Sequence, residues 1–238
     1  MGDDGTRLEG RRSGLLGTAR PRAALVGALL VLLVWNVAAR AALPSSRHLE
    51  GGLVVALVMV GLGTWAGLSL TELGLSRWRV RSGLQYGLAA VVAVTGVVLL
   101  GLVSPWTHNE FHTARADVGA SQLLLELLVT IPLGTVVVEE LAFRGTLLGL
   151  LLQHLSQRRA VVVCSVLFGL WHIDGVIGAT GGTATHVLAA TVGTFTATAL
   201  AGVAFSWLRL RSGSLLAPAL AHWSTNTVAL LVAWIVTQ

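Results

Sequence analysis

The stretch QLLLELLVTIPLGTVVVEELAFR, residues 122–144, decides the fold. Its Leu, Val and Ile residues make a run long enough to cross a ~30 Å hydrocarbon core, which takes about 20 apolar residues. Glu139, Glu140 and Arg144 nevertheless sit at the end of that run. A charged side chain at mid-bilayer costs about 2.5–3.5 kcal/mol on insertion scales, so such groups are functional-site candidates by default. The segment reads as a membrane span with chemistry built into it.

Working outward, similar apolar runs occur at about 23–43, 52–70, 84–104, 160–172, 186–208 and 213–236. The run at 160–172 is short, and the helix at 122–142 is expected to continue past Arg144 to about Leu155, because Thr146–Leu155 holds no breaker except Gly149. The fold class is all-α: a polytopic transmembrane helix bundle of about seven spans, or eight if that continuation folds back. Composition agrees, with 54% hydrophobic residues, 11% charged and a mean hydropathy of +0.78, against about 25% charged in soluble domains. Residues 1–20 read as a disordered cytoplasmic tail, 21–120 as N-terminal transmembrane helices and 121–238 as the functional core.

All 16 basic residues are Arg, and the nominal pI of 11.2 invites a nucleic-acid reading. The arginines lie instead in short clusters between spans: Arg77, Arg79 and Arg81; Arg158 and Arg159; Arg209 and Arg211. That pattern sets topology and places the N-terminus, with Arg7, Arg11, Arg12, Arg20 and Arg22, in the cytoplasm. No nucleic-acid partner is expected. Ala39-Arg40-Ala41 resembles a signal-peptide cleavage site, but the long basic segment and the spans that follow favour a retained first helix. The single Cys164 excludes an intrachain disulfide and reads as a buried structural thiol.

Three clusters carry the chemistry. Arg144 is i+4 from Glu140, close enough to pair on one helix face, which leaves Glu139 about 100° away without a local cation. A carboxylate desolvated in this way suits a general base. His172 lies four residues after Phe168 and ~20 Å along its helix from Arg159; His222 lies ~16 Å along its helix from Arg211, with Asn226 one turn on. The helical rise therefore puts both imidazoles at similar depth below the arginine-rich surface. One such histidine alone is more often a core group bonded to a carbonyl; three clusters together are not.

Glu139-Glu140-Leu-Ala-Phe-Arg144, Phe168-Gly-Leu-Trp-His172 and His222-Trp-Ser-Thr-Asn226 resemble, in order, the motifs of the CPBP intramembrane proteases, which include CAAX prenyl endopeptidases and bacterial bacteriocin-processing and immunity (Abi) proteins. The resemblance covers about residues 121–236, including the approach Arg211-Ser-Gly-Ser to the third motif. It implies that Glu139 and His172 activate a water, that His222 and Asn226 stabilise the oxyanion, and that Arg144 orients the glutamates. It also implies an integral, multi-pass protein of a bacterial plasma membrane and a membrane-associated protein or peptide as substrate. CAAX specificity is not carried by these motifs.

Glu139, His172 and His222 could equally form a His2Glu zinc set. The two-histidine zincin helix is absent, and only Glu140 stands ready to orient an imidazole, so no cofactor is preferred and zinc remains the alternative. His108-Asn109-Glu110-Phe111-His112 misplaces its Glu for a zincin, and Gly178–Thr183 cannot be a P-loop in a chain without Lys. His48, His154 and His186 fall near span ends, and Gly61-Leu-Gly63 fits close helix packing. The functional expectation is an intramembrane endopeptidase cutting near the cytoplasmic side. The alternative is a non-catalytic immunity or scaffold protein that binds peptide without cleaving it; a proton-coupled transporter ranks below both, since no inverted broken helices are evident.

Overall fold

The computed structural model describes residues 4–39, 42–105, 116–173 and 183–237, with side chains described throughout except at 4–18, 38, 39 and 45. Among the described residues there is no strand. The helices are α1 (Asp4–Val34, prolonged by a wide turn at Trp35–Ala39), α2 (His48–Trp65), α3 (Val80–Val103), α4 (Ala120–Leu152), α5 (Gln157–Trp171), α6 (Ala184–Ser212) and α7 (Leu216–Thr237).

Six of these are long and apolar enough to cross a bilayer, and they present large apolar side chains such as Leu57, Val92, Leu100 and Leu200 outward. The chain is an integral membrane helix bundle. The seventh element, α5, has 15 residues, or ~22 Å at 1.5 Å per residue, too short for a full crossing. The fourth run does continue past Arg144 as helix and stops at Leu152 without folding back. Residues 66–70, expected within the second span, belong instead to a connection. Gly67, at φ +91°, turns the chain just after Trp65, a conformation that hydropathy does not register. Helix α1 begins at Asp4, inside the segment read as a tail, where Arg, Leu and Glu are good helix formers.

α4 is wound wide, with i→i+5 hydrogen bonding, at Glu126–Val137 and Glu140–Leu147. Pro132 lacks the N–H that a regular turn requires, which accounts for the first stretch. Glu139 lies at the junction between the two.

Glycines bring the histidine-bearing helices in. A Cβ on Gly83 would lie 2.7 Å from Ser214 Oγ, and one on Gly87 2.6 Å from Leu220 Cδ1, so α3 and α7 meet nearly backbone to backbone. Between α5 and α6, a Cβ on Gly202 would stand 3.0 Å from Ser165 Cα. Of the expected close-packing pair Gly61-Leu-Gly63, Gly61 faces open space, whereas a Cβ on the buried Gly63 would lie 3.0 Å from Leu73 Cδ2 and 3.4 Å from Thr146 Cγ2, so the close packing holds at Gly63. Thr146 Oγ1 donates to Met59 O (3.0 Å), tying α4 to α2, and the buried Cys164 Sγ donates to Phe143 O (3.4 Å).

Arg209, read as a topology residue, is buried and clamps the α2–α3 connection. Its Nη2 donates to Glu72 O (2.6 Å) and Thr71 O (3.2 Å). The chain closes so tightly over the guanidinium that only a glycine fits at position 74 (φ +79°). Nearby, Ser69 Oγ and the Ser69 N–H both donate to Glu72, holding its carboxyl below the ordinary 4.5.

Candidate active site

Glu139 and Glu140 project from consecutive positions of α4 into different surroundings. Arg144 Nη1 donates to Glu140 Oε1 (3.1 Å), and His222 Nδ1 lies 2.9 Å from that same oxygen. Both glutamates and Arg144 are buried. The guanidinium lies 3.9 Å over the Phe168 ring and 5.1 Å from that of Phe205, a cation–π arrangement that partly replaces lost water. Phe205 also stacks on His222 at 5.1 Å and 22°. The i, i+4 pairing read from the spacing is present, and it extends into a Glu140–Arg144–His222 unit.

Glu139 is held more loosely. Its Oε1 accepts the Trp171 indole N–H (3.0 Å), while Oε2 is buried without a hydrogen-bond partner. Two imidazole nitrogens face that oxygen, His172 Nε2 and His222 Nε2, each at 3.8 Å. His172 Nδ1 is 2.8 Å from Phe168 O, which accepts its proton and leaves Nε2 as a bare acceptor in the neutral ring. His222 has the same polarity, with Nδ1–H directed at Glu140. Both imidazoles thus turn a ring nitrogen toward the same carboxylate oxygen.

A separation of 3.8 Å is too long for a direct hydrogen bond, but a water ~2.8 Å from each of two such atoms bridges them. With both rings neutral the two glutamates and Arg144 leave one net negative charge, so a single proton or cation in the gap balances the set. Asn226, half-buried one turn beyond His222, makes no side-chain hydrogen bond to another described residue.

The two glutamates also line different cavities. Glu139 borders one of about 550 Å³ with Trp171, Thr130, Thr135, His48 and Trp35. Glu140 borders one of about 360 Å³ with Ser76, Leu141 and Ser214. The first reaches toward the α1–α2 connection, at the bundle end opposite the arginine-bearing connections. The second lies against the α2–α3 connection, so the two glutamates are bordered by cavities at different ends of the bundle.

Trp171 and Phe205 escaped the sequence reading. Trp171 stands beside His172, and a buried indole N–H seeks an acceptor, which is a usable signal. Nothing local marks Phe205. His108 and His112 lie outside the described residues, as do all but Thr183 of the glycine-rich stretch Gly178–Thr183.

Residues 121–228, from the second residue of α4 into α7, match the family model described as type II CAAX prenyl endopeptidase Rce1-like. The match contains every residue of the site. No curated protein and no solved structure matches the chain.

Proposed function

The chain belongs to the CPBP family of membrane proteases, and from that premise we propose that it hydrolyses a peptide bond of a membrane-associated protein or peptide at Glu139. The observation that carries this reading is the unpartnered Glu139 Oε2 with two imidazole nitrogens at 3.8 Å. A water in that gap donates to Glu139 Oε2 and His172 Nε2, and gives one proton to this pair as its oxygen bonds to the scissile carbonyl carbon. The pair returns that proton to the amide nitrogen as the tetrahedral intermediate collapses and the C–N bond breaks, leaving a carboxylic acid and an amine. The single proton that balances the net negative charge of the set sits on His222 Nε2 in this step and is donated in a hydrogen bond to the developing oxyanion, while Nδ1 still donates to Glu140. Asn226, on the same face of α7, supplies an amide donor beside it. Glu140 and Arg144 orient His222. Substrate reaches Glu139 through the cavity bordered by Thr130 and Thr135, whose hydroxyls suit an extended peptide backbone. The arginine distribution supports a cytoplasmic N-terminus.

A zinc reading has one observation in its favour: each imidazole has its Nδ1 hydrogen-bonded, as metal-bound histidines do. Against it, ligand atoms of a tetrahedral site with bonds of about 2.0 Å lie about 3.3 Å apart, closer than the 3.8 Å here. Among the described residues no group of three or more His, Cys, Asp or Glu has metal-holding geometry. The water-only mechanism is preferred. Activity of the purified protein that vanishes with 1,10-phenanthroline and returns with zinc overturns that preference. In cells, the uncut peptide accumulates in a Glu139→Gln strain; processing that continues in Glu139→Gln and His172→Ala alike favours the non-catalytic binding role.

A further inference from the structure

On the arginine-bearing end of the bundle, away from the active site, the start of α5 and the end of α6 enclose a groove of about 710 Å³. Arg158 and Arg211 flank it, Gln157 and Trp207 complete its polar rim, and Val162 and Val203 form an apolar floor that continues onto the lipid-facing surface. No acidic residue lines it, and among the described residues neither arginine has a carboxylate partner. Arg211 sits 5.9 Å from the Trp207 ring. Indoles favour the headgroup level of a bilayer, so Trp207 places the groove at that depth.

We propose that this groove binds one anionic phospholipid, with the phosphodiester between Arg158 and Arg211 and an acyl chain over Val162 and Val203. The charge pattern selects this occupant. Two guanidiniums that no carboxylate among the described residues pairs call for an anion, and an apolar floor open to lipid calls for a hydrocarbon chain on that anion. Basic pockets between membrane helices bind anionic headgroups in this way. The bound lipid bridges α5 and α6, the helices that carry His172 and Phe205.

The test is native mass spectrometry of the full chain released from micelles containing either phosphatidylglycerol or phosphatidylcholine with matched acyl chains. The wild type retains phosphatidylglycerol in preference to phosphatidylcholine, and millimolar inorganic phosphate does not displace it. The double variant Arg158→Gln/Arg211→Gln binds it roughly thirtyfold more weakly, at about 1 kcal/mol per arginine. Arg77→Gln/Arg81→Gln, which removes the same charge elsewhere on that surface, retains it. Should the first double variant melt early, Val203→Trp, which fills the floor and keeps both charges, gives the same loss. Equal retention of phosphatidylcholine, displacement by phosphate, or equal weakening in the two double variants overturns the proposal.

Discussion

Glu140 shares one carboxylate oxygen between Arg144 at 3.1 Å and His222 Nδ1 at 2.9 Å, whereas Glu139, one residue earlier, ties only Oε1 to Trp171 and leaves Oε2 facing two imidazoles at 3.8 Å. Both are buried on one helix in the same bilayer, so burial does not separate them. The difference lies in what is left over. On the Glu140 side Oε1 joins Arg144 and His222 into a unit that holds α4 to α7, while Glu140 Oε2 and Arg144 Nε and Nη2 are buried without a hydrogen-bond partner and make no further ion pair among the described residues. On the Glu139 side a gap remains, bordered by acceptors and reached by a polar cavity. A polar cluster in a membrane can therefore be divided into scaffold and reactive parts by asking which unpartnered atom faces further acid–base groups across a gap.

The largest expected effect breaks the Glu140 side. Arg144→Ala strands Glu140 as an uncompensated buried charge, and loss of one partner of such a pair costs about 3–5 kcal/mol. Thermal unfolding in detergent should show it, with little folded protein recovered; an unchanged melting temperature would remove the scaffold role. On the open side, Asn226→Ala lowers kcat about 10²–10³-fold if the amide meets the oxyanion, with the melting temperature held. A change confined to KM would place Asn226 in substrate binding instead.

Trp171→Phe keeps an aromatic ring, smaller than the indole, and removes the N–H that fixes Glu139, leaving a buried acceptor unpaired at a cost of about 1–3 kcal/mol. Its signature is a fall in kcat at constant KM, which a merely structural tryptophan would not give. Smallest is a contrast with a carboxylate outside the site altogether. Glu72 is held below its ordinary value by Ser69, so its contribution is present above the unfolded value of 4.5 and is lost as pH falls through the lower folded value. Glu72→Gln should lower stability at neutral pH by less than about 1 kcal/mol, because the group is exposed. The gap between variant and wild type should close in acid, and activity should be untouched.

Periodicity and spacing made much of this visible beforehand. The i+4 step from Glu140 to Arg144 is a local geometric fact, and the helical rise alone put His172 and His222 at comparable depth. The apolar runs located the helices because lipid-facing and core residues are both apolar. What stayed hidden depends on contacts between distant residues. Trp171 reaches Glu139 across 32 positions and Arg209 reaches Glu72 across 137, and no local pattern encodes either meeting. The turn at Gly67 is a matter of backbone dihedral, to which hydropathy averaged over a window is blind. The direction of the cavity follows from which helix ends lie side by side, and the arginines that set topology say nothing about where a substrate enters.

The most direct measurement is made on purified Glu139→Gln, a near-isosteric change that keeps an acceptor for the Trp171 N–H and removes the carboxylate charge. Cleavage of a membrane-associated peptide, binding of that peptide and the melting temperature should be followed together. Cleavage is expected to fall about 10²–10⁴-fold, the range for a lost general base, with binding and melting temperature unchanged. Cleavage within tenfold of the wild type would contradict the assignment of the reactive water to Glu139.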